Sequence, residues 1–264
     1  MKKRFQKMLP FLFALSLGCN ILSLFMADKL IHYRQFIRHI DTSFPNEGLR
    51  LVSSEDIRSA GIPNLGAFIG GNLPRYWFFP KDFSHHIVNK SGVEESISRT
   101  RQRFHDTVIR AGADFVLINA GFCNIVTAVR KGKDPLPMVQ GNFRVIQDIV
   151  AIAKENKILP ILSSLPPVRP RFLLPYTQRI EYSSKFKKEE NAAIEQFNKL
   201  LREYCREKQL PFIDFHKVLS DENRELIQKY AVTDGEHLNL AGYTFLTSFL
   251  EKELDRIFRK SYNH

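Results

Sequence analysis

The chain has 264 residues and a mass of 30.7 kDa, with 44% hydrophobic and 25% charged residues. This balance is that of an ordinary globular protein, and it excludes a disordered chain, a collagen-like repeat and a disulfide-stapled mini-protein. A chain of this length is expected to form one domain of roughly 200 residues with an appendage.

The positive charge is concentrated near the N-terminus. The formal net charge is +11, and residues 1–40 contain seven Lys or Arg residues against one Asp. Because this excess flanks an apolar segment, it favours a membrane surface over a nucleic acid. The sequence also has no zinc-finger spacing, no aromatic RNA-binding motif and no long basic block, so we expect no nucleic-acid partner.

Residues 8–27 form an uncharged apolar run that is long enough to cross a bilayer and contact its lipid. Residues 1–27 are therefore predicted to be an uncleaved, single-pass membrane anchor. The basic residues before the run place the N-terminus in the cytoplasm and the rest of the chain on the periplasmic or extracellular side. Two alternatives are a lipoprotein signal at Cys19 and a signal peptide cleaved after Ala27. Both fit less well, because the residues before Cys19 make a poor lipobox and Phe25 stands where a small residue is expected.

Residues 28–63 are expected to form a juxtamembrane helix and linker, and residues 64–264 a domain of alternating strands and helices. Such alternation predicts a parallel sheet covered by helices on both faces, with functional residues on the loops after the strands. The predicted strands are Leu65–Ile69, His86–Asn89, Phe115–Asn119, Leu159–Ser163 and Phe212–Asp214, and the predicted helices are Val93–Arg110, Asn142–Asn156, Ser184–Lys208 and Leu240–Phe258.

Asp234 and His237 are the sharpest candidates for chemistry. Three residues apart at the start of a helix, their side chains can hydrogen-bond, so that the carboxylate orients an imidazole acting as a base. The alternative is that Asp234 caps the last helix and His237 is an ordinary surface residue.

The phrase from Asp234 to Tyr243 resembles the last conserved block of the SGNH (GDSL-type) hydrolase family. The other blocks follow in order over about residues 64–258. The matching phrases are Phe68–Asn72, Val88–Gly92, Ile118–Asn124 and Ile161–Pro167. The resemblance implies a flavodoxin-like three-layer α/β/α sandwich with about five parallel strands, and hydrolysis of esters without a metal or organic cofactor.

The resemblance also implies residue roles. Asp234 orients His237, and Asn72 stands at the position of the nucleophilic serine. The oxyanion-hole positions are Asn72, Gly92 and Cys123. Residues expected to line the substrate pocket are Gly71, Asn124, Tyr76 and Trp77. For the aromatic run from Tyr76 to Phe79, packing against the sheet is the alternative.

The substitutions at Asn72 and Cys123 argue against ordinary covalent hydrolysis. Loss of a triad serine costs about a millionfold in turnover, and loss of one oxyanion donor about a hundred- to a thousandfold. A carboxamide is not a competent nucleophile, and a thiol is a weak donor. Three rescues remain open: water activated by His237, attack by Cys123, or attack by a nearby serine, Ser84 or Ser91.

The expected function is hydrolysis of acyl or acetyl esters of envelope lipids or glycans, with possible loss of catalysis. The alternatives are a non-catalytic envelope binding or scaffold protein, and an O-acyltransferase acting on polysaccharides. No histidine pair has metal-ligand spacing, so no metal site is expected. Cys123 and Cys205 can pair only if the fold brings them together. The charged run from Lys185 to Glu190 is interpreted as the solvated start of a helix.

Overall fold

The computed structural model describes residues 64–80, 82–92, 95–170, 179–232 and 234–261. The predicted anchor at residues 8–27 and the juxtamembrane segment at residues 28–63 lie outside the described residues. Within the described ranges, no helix combines the length and the apolar character that crossing a bilayer requires.

Five parallel strands form one sheet in the order β2-β1-β3-β4-β5. The parallel sheet confirms the prediction, and every strand lies within one or two residues of its predicted position. The strands are β1 (Gly66–Gly70), β2 (Ile87–Asn89), β3 (Phe115–Asn119), β4 (Leu159–Ser163) and β5 (Phe212–Ile213).

The connections between the strands are helical. The helices in the described residues are α1 (Asn72–Arg75), α2 (Ile97–Phe104), α3 (Phe122–Arg130), α4 (Leu136–Glu155), α5 (Arg179–Glu207), α6 (Phe215–Leu219) and α7 (Leu240–Ser261). Helix α2 continues into a short π-helix at His105–Ile109, and Gln228–Tyr230 form one turn of 3₁₀-helix. Helix α3 is absent from the predicted elements, and α4 begins six residues before its predicted start.

The sheet separates two hydrophobic clusters. Successive residues of a strand point to opposite faces, so Ala67 and Ile69 pack with α2 to α5, whereas Phe68 packs with α6 and α7. The central strands β1 and β3 are fully buried, as expected of a parallel sheet that is covered on both sides. The layers are therefore helix, sheet and helix, as the resemblance implies.

Gly70 ends β1 in a conformation that only glycine adopts without strain. Its φ is +145°, and a Cβ built on it would lie 1.9 Å from the carbonyl oxygen of Asn119 at the end of β3. The Gly71 N–H donates to this same oxygen at 3.3 Å, and the Gly92 N–H donates to the Gly70 carbonyl at 3.1 Å. The turn after β1 is thus held between the ends of its two neighbouring strands.

Replacing Gly70 with alanine should therefore destabilise the fold by at least about 3 kcal/mol, because it adds steric conflict to backbone strain. Gly132→Ala is the matched control. Gly132 also has a positive φ of +64°, but a Cβ there meets no atom within 4 Å. It should cost only about 1 kcal/mol. Urea unfolding of the full-length protein in detergent, followed by circular dichroism, measures both values, and equal losses would contradict this account of Gly70.

Candidate active site

Asp234 and His237 form a close pair at the carboxyl side of the sheet. His237 Nδ1 lies 2.7 Å from Asp234 Oδ2. The other carboxylate oxygen, Oδ1, accepts the backbone N–H groups of Glu236 at 2.8 Å and of His237 at 3.0 Å. The carboxylate is thereby fixed by its own loop, and it orients the imidazole so that Nε2 is the ring nitrogen left for a molecule in the adjacent cleft.

The pair shifts the pKa of both groups toward their charged forms. Burial on its own raises the pKa of Asp234, but the hydrogen bond and charge of His237 and the backbone N–H groups outweigh it, so the pKa is well below the usual range. Burial likewise lowers the pKa of His237, and the Asp234 hydrogen bond and charge outweigh that effect, leaving a raised pKa. The imidazole is therefore a stronger base than an isolated histidine.

A small cleft lies in front of His237. Its accessible volume is about 10 Å³, which is room for roughly one water molecule. The lining residues come from the turn after β1, the ends of β3 and β4, and the start of α7. They are Gly71, Leu73, Asn119, Phe122, Pro166, Glu236, His237, Leu238 and Tyr243.

The backbone of Asn72 begins α1 directly after the Gly70–Gly71 turn, so the predicted nucleophile position follows the end of β1. Cys123 lies near this turn, because a Cβ built on Gly71 would be 3.5 Å from its Sγ. Cys123 is not among the residues that line the cleft. Its neighbour Phe122 lines the cleft instead, a role that its place in the sequence did not predict.

Two predicted site residues serve the framework instead. The Gly92 N–H donates to the Gly70 carbonyl, so in this structure it is not offered to an oxyanion. Asn124 Oδ1 accepts the N–H of Ile97 at 3.0 Å, which fixes the start of α2. Gly92 thus stabilises the turn after β1 and Asn124 stabilises the start of α2, and neither residue lines the cleft.

The aromatic run after the turn divides between the cleft and the core. Tyr76 packs edge-on against the His237 ring, with centroids 5.7 Å apart. Trp77 has no exposed surface, and its Nε1–H donates to Thr247 Oγ1 at 2.9 Å. Trp77 therefore lies in the core, as in the alternative of packing against the sheet, and it does not form a pocket wall.

The two serines considered as replacement nucleophiles are engaged elsewhere. Ser91 is buried and its hydroxyl donates to the Phe68 carbonyl at 3.1 Å. Ser84 hydrogen-bonds Glu251 through both its backbone N–H and its side chain, and Glu251 lies about 16 Å along α7 from the start of that helix beside His237. Neither serine is placed to deliver its proton to His237.

Cys123 and Cys205 are both free thiols, so the structure contains no disulfide between them. Cys205 is buried in the core on α5, where desolvation raises the pKa of its thiol to about 12. Such a thiol stays protonated and packs as a small apolar side chain.

The rim of the cleft is fixed by two asparagines of α5. Asn198 pairs its side-chain amide with the backbone N–H and C=O of Leu165, at 2.8 and 2.9 Å. Asn191 does the same for Val168, with both distances 2.8 Å. Pro166 lies between these two clamped residues, which explains how an irregular segment keeps a defined place in the cleft wall.

The charged run at the start of α5 differs from the prediction. Lys188 and Glu189 are exposed, but Lys187 and Glu190 are buried, with 5% and 0% of their surface accessible. Both belong to an ion network with Arg130 of α3 and Glu236 of the His237 loop. The interpretation of the run as the solvated start of a helix is right for Lys188 and Glu189 and wrong for Lys187 and Glu190. The partners that neutralise these two, Arg130 and Glu236, lie in distant parts of the chain.

Asp234→Asn should lower the pKa of His237, because the hydrogen bond and the charge that oppose the effect of burial are both lost from this position. Histidine titration by NMR on the full-length protein measures this shift. Asp255→Asn is the control, since Asp255 contacts His85 at 3.0 Å and not His237. An unchanged His237 titration in Asp234→Asn would show that this carboxylate does not set its basicity.

Comparison with known proteins agrees with this architecture. Residues 65–245, more than half of the chain, match the GDSL-like lipase/acylhydrolase family. A GDSL-like lipase from Bacteroides thetaiotaomicron is 21% identical with a TM-score of 0.56, and the alignment covers 78% of this chain and 98% of that one. A protein assigned as an acylhydrolase from Bacteroides fragilis is also 21% identical, with a TM-score of 0.60 and coverage of 80% and 97%.

A lipase/acylhydrolase from Enterococcus faecalis is 15% identical, with a TM-score of 0.51 and coverage of 72% and 95%. Identities this low show a shared fold alone. No curated protein sequence matches the chain significantly. The family match rests on more than half of the sequence, and the sheet order and the Asp-x-x-His loop accord with it. The chain therefore belongs to the GDSL-like lipase/acylhydrolase family.

Proposed function

We propose that the domain hydrolyses acyl or acetyl esters by a single displacement, in which His237 takes a proton from water. The observation that carries this proposal is the 2.7 Å contact between His237 Nδ1 and Asp234, which leaves Nε2 for the cleft. A base held in one orientation by a carboxylate is what activation of water requires.

Water is proposed as the nucleophile because none of the side chains considered for that role is placed to react through His237. Asn72 supplies a carboxamide, Ser84 and Ser91 are engaged away from His237, and Cys123 does not line the cleft. The cleft has room for about one water molecule beside the imidazole. The oxygen of that water bonds to the ester carbonyl carbon, the bond to the alcohol oxygen breaks, and protonated His237 returns its proton to the leaving oxygen, so the products are the alcohol and the carboxylic acid without an acyl-enzyme.

The proposal extends to the cellular setting. Residues 8–27 anchor the chain in a membrane, and the basic residues before them keep the N-terminus in the cytoplasm. The domain then faces the envelope, where lipids and glycans carry acyl and acetyl esters. These are the substrates we propose.

A non-catalytic binding role is the second candidate, because the position expected for the nucleophile carries asparagine, whose carboxamide is not a competent nucleophile. On this reading the Asp234–His237 pair belongs to a polar network that presents a surface to a glycan or lipid. The two candidates differ in whether hydrolysis depends on His237.

The test is hydrolysis of p-nitrophenyl acetate and longer esters by the full-length protein in detergent, beside His237→Ala. We expect slow turnover by the parent protein and a loss of about a hundred- to ten-thousandfold in kcat/KM in the variant. A rate that is equal in the two proteins would rule out His237 as the base.

A fluorophosphonate probe and the Asn72→Ser variant separate the mechanisms. Water attack predicts that the parent is not labelled, whereas Asn72→Ser is labelled only while His237 is present, because serine then becomes the nucleophile. Labelling of the parent would reveal another nucleophile. If the parent is inactive and Asn72→Ser gains His237-dependent hydrolysis, the binding role replaces the proposal.

Hydrolysis should also depend on pH through His237. The base must be neutral, and the pKa of His237 is raised above its ordinary value. The kcat/KM of the parent should therefore fall as pH decreases, with its midpoint above about 6.5. In Asp234→Asn the midpoint should move to lower pH while the plateau decreases. A midpoint that stays fixed in that variant would assign the titration to another group.

A further inference from the structure

Four charged side chains form a network beside the cleft, in which Glu190, Lys187 and Glu236 are buried or nearly so and Arg130 is 46% exposed. Arg130 Nε lies 2.7 Å from Glu190 Oε1, and Lys187 Nζ lies 2.9 Å from Glu190 Oε2. Glu236 contacts both Arg130 and Lys187 through its Oε1. Glu190 has no exposed side-chain surface, and Lys187 and Glu236 expose 6% and 14%.

The network joins elements that are remote in sequence. Arg130 ends α3, the helix whose first residue, Phe122, lines the cleft. Lys187 and Glu190 lie on α5, and Glu236 lies between the orienting carboxylate and the base. Glu236 also lines the cleft and gives its backbone N–H to Asp234. The side chain and the backbone of Glu236 thus link the two helices to the Asp234–His237 pair.

Stability alone is a weak explanation for this arrangement. Two positive and two negative charges balance, but burying them carries a desolvation penalty that apolar residues of similar volume avoid. Apolar residues cannot form the directional ion pairs that fix the carboxylate of Glu236 in one position. Because Glu236 has two cationic partners on two helices, its loop has one favoured position.

We propose that Lys187 is a positioning residue, which holds Glu236 and thereby keeps the 234–237 loop in the conformation that aligns His237 with Asp234. This inference rests on the proposed role of His237 as a base. The charged or titratable side chains facing His237 are Asp234, Glu236, Lys187 and Tyr76. For Lys187 the two effects on the pKa of His237 have opposite signs: its charge lowers this pKa, whereas its positioning of the loop raises it.

The sign of one measurement therefore tests the proposal. Lys187→Met removes a cation, and as a pure charge effect this raises the pKa of His237. If Lys187 positions the loop, the Asp234 contact weakens and the pKa falls. We expect a fall of at least about half a pH unit, a roughly threefold loss of proton affinity. Histidine NMR titration of the full-length protein in detergent reports it, with His237→Ala identifying the resonance.

Three variants complete the experiment. Lys188→Met is the matched control, because Lys188 is adjacent and exposed, and it should leave the titration unchanged. Lys187→Arg keeps the positive charge, so it should leave the pKa of His237 close to that of the parent protein. The charge-balanced pair Lys187→Met with Glu190→Gln should show the same fall, and it serves if the single variant does not fold. An unchanged or raised pKa of His237 in the variants lacking Lys187 would overturn the proposal.

The titration does not require turnover, so it separates this inference from the proposed function. If no protein hydrolyses esters but the pKa of His237 falls in Lys187→Met, the function fails and the positioning role stands. If the parent is active and the titration does not fall, the function stands and the positioning role fails. Where hydrolysis is measurable, the acid limb of kcat/KM should move with the titration.

Discussion

The Asp234 carboxylate is the group on which the site depends. One oxygen contacts His237 Nδ1 and the other accepts two backbone N–H groups from the same short loop. A carboxylate stabilised in this way stays charged despite its burial, and its charge in turn favours the protonated imidazole. The same three contacts therefore determine the loop conformation, the orientation of the ring and the strength of the base.

That carboxylate is useful only because the sheet brings other loops to it. In a parallel sheet, the carboxyl ends of the strands meet at one edge, and the turn after β1 and the ends of β3 and β4 all reach the cleft there. Gly70 allows the first turn to approach Asn119 closely, and Asn198 holds the segment after β4. The site is thus preorganised by hydrogen bonds to the backbone of the surrounding loops, and the side chain at position 72 is not needed for these contacts.

Local patterns predicted much of this. Strands β3 and β4 have their predicted bounds, because buried parallel strands are continuous apolar runs between turn residues. Helix α3 was missed because it has nine residues and begins directly after Gly121, so the sequence does not distinguish it from the segment that follows β3. The burial of Lys187 and Glu190 was also missed, since exposure of a charged run depends on Arg130 and Glu236, which are remote in sequence. The positions of Asn124 and Gly92 required the tertiary contacts as well.

Asn72 and Cys123 stand at the positions that the family resemblance predicts for the nucleophile and an oxyanion donor, so the predicted site has a base and its orienting carboxylate but no serine at position 72. A protein that had lost all use for proton transfer would gain stability by replacing a buried ion network with apolar residues. Here the buried Lys187 of α5 contacts both Glu190 and Glu236, and Glu236 directly precedes His237 in the loop. A network that carries a desolvation penalty and holds this one loop is what the proposed positioning of His237 requires. With asparagine at position 72, the change from the family's expected chemistry concerns the nucleophile that His237 deprotonates, whereas the base itself is present and aligned.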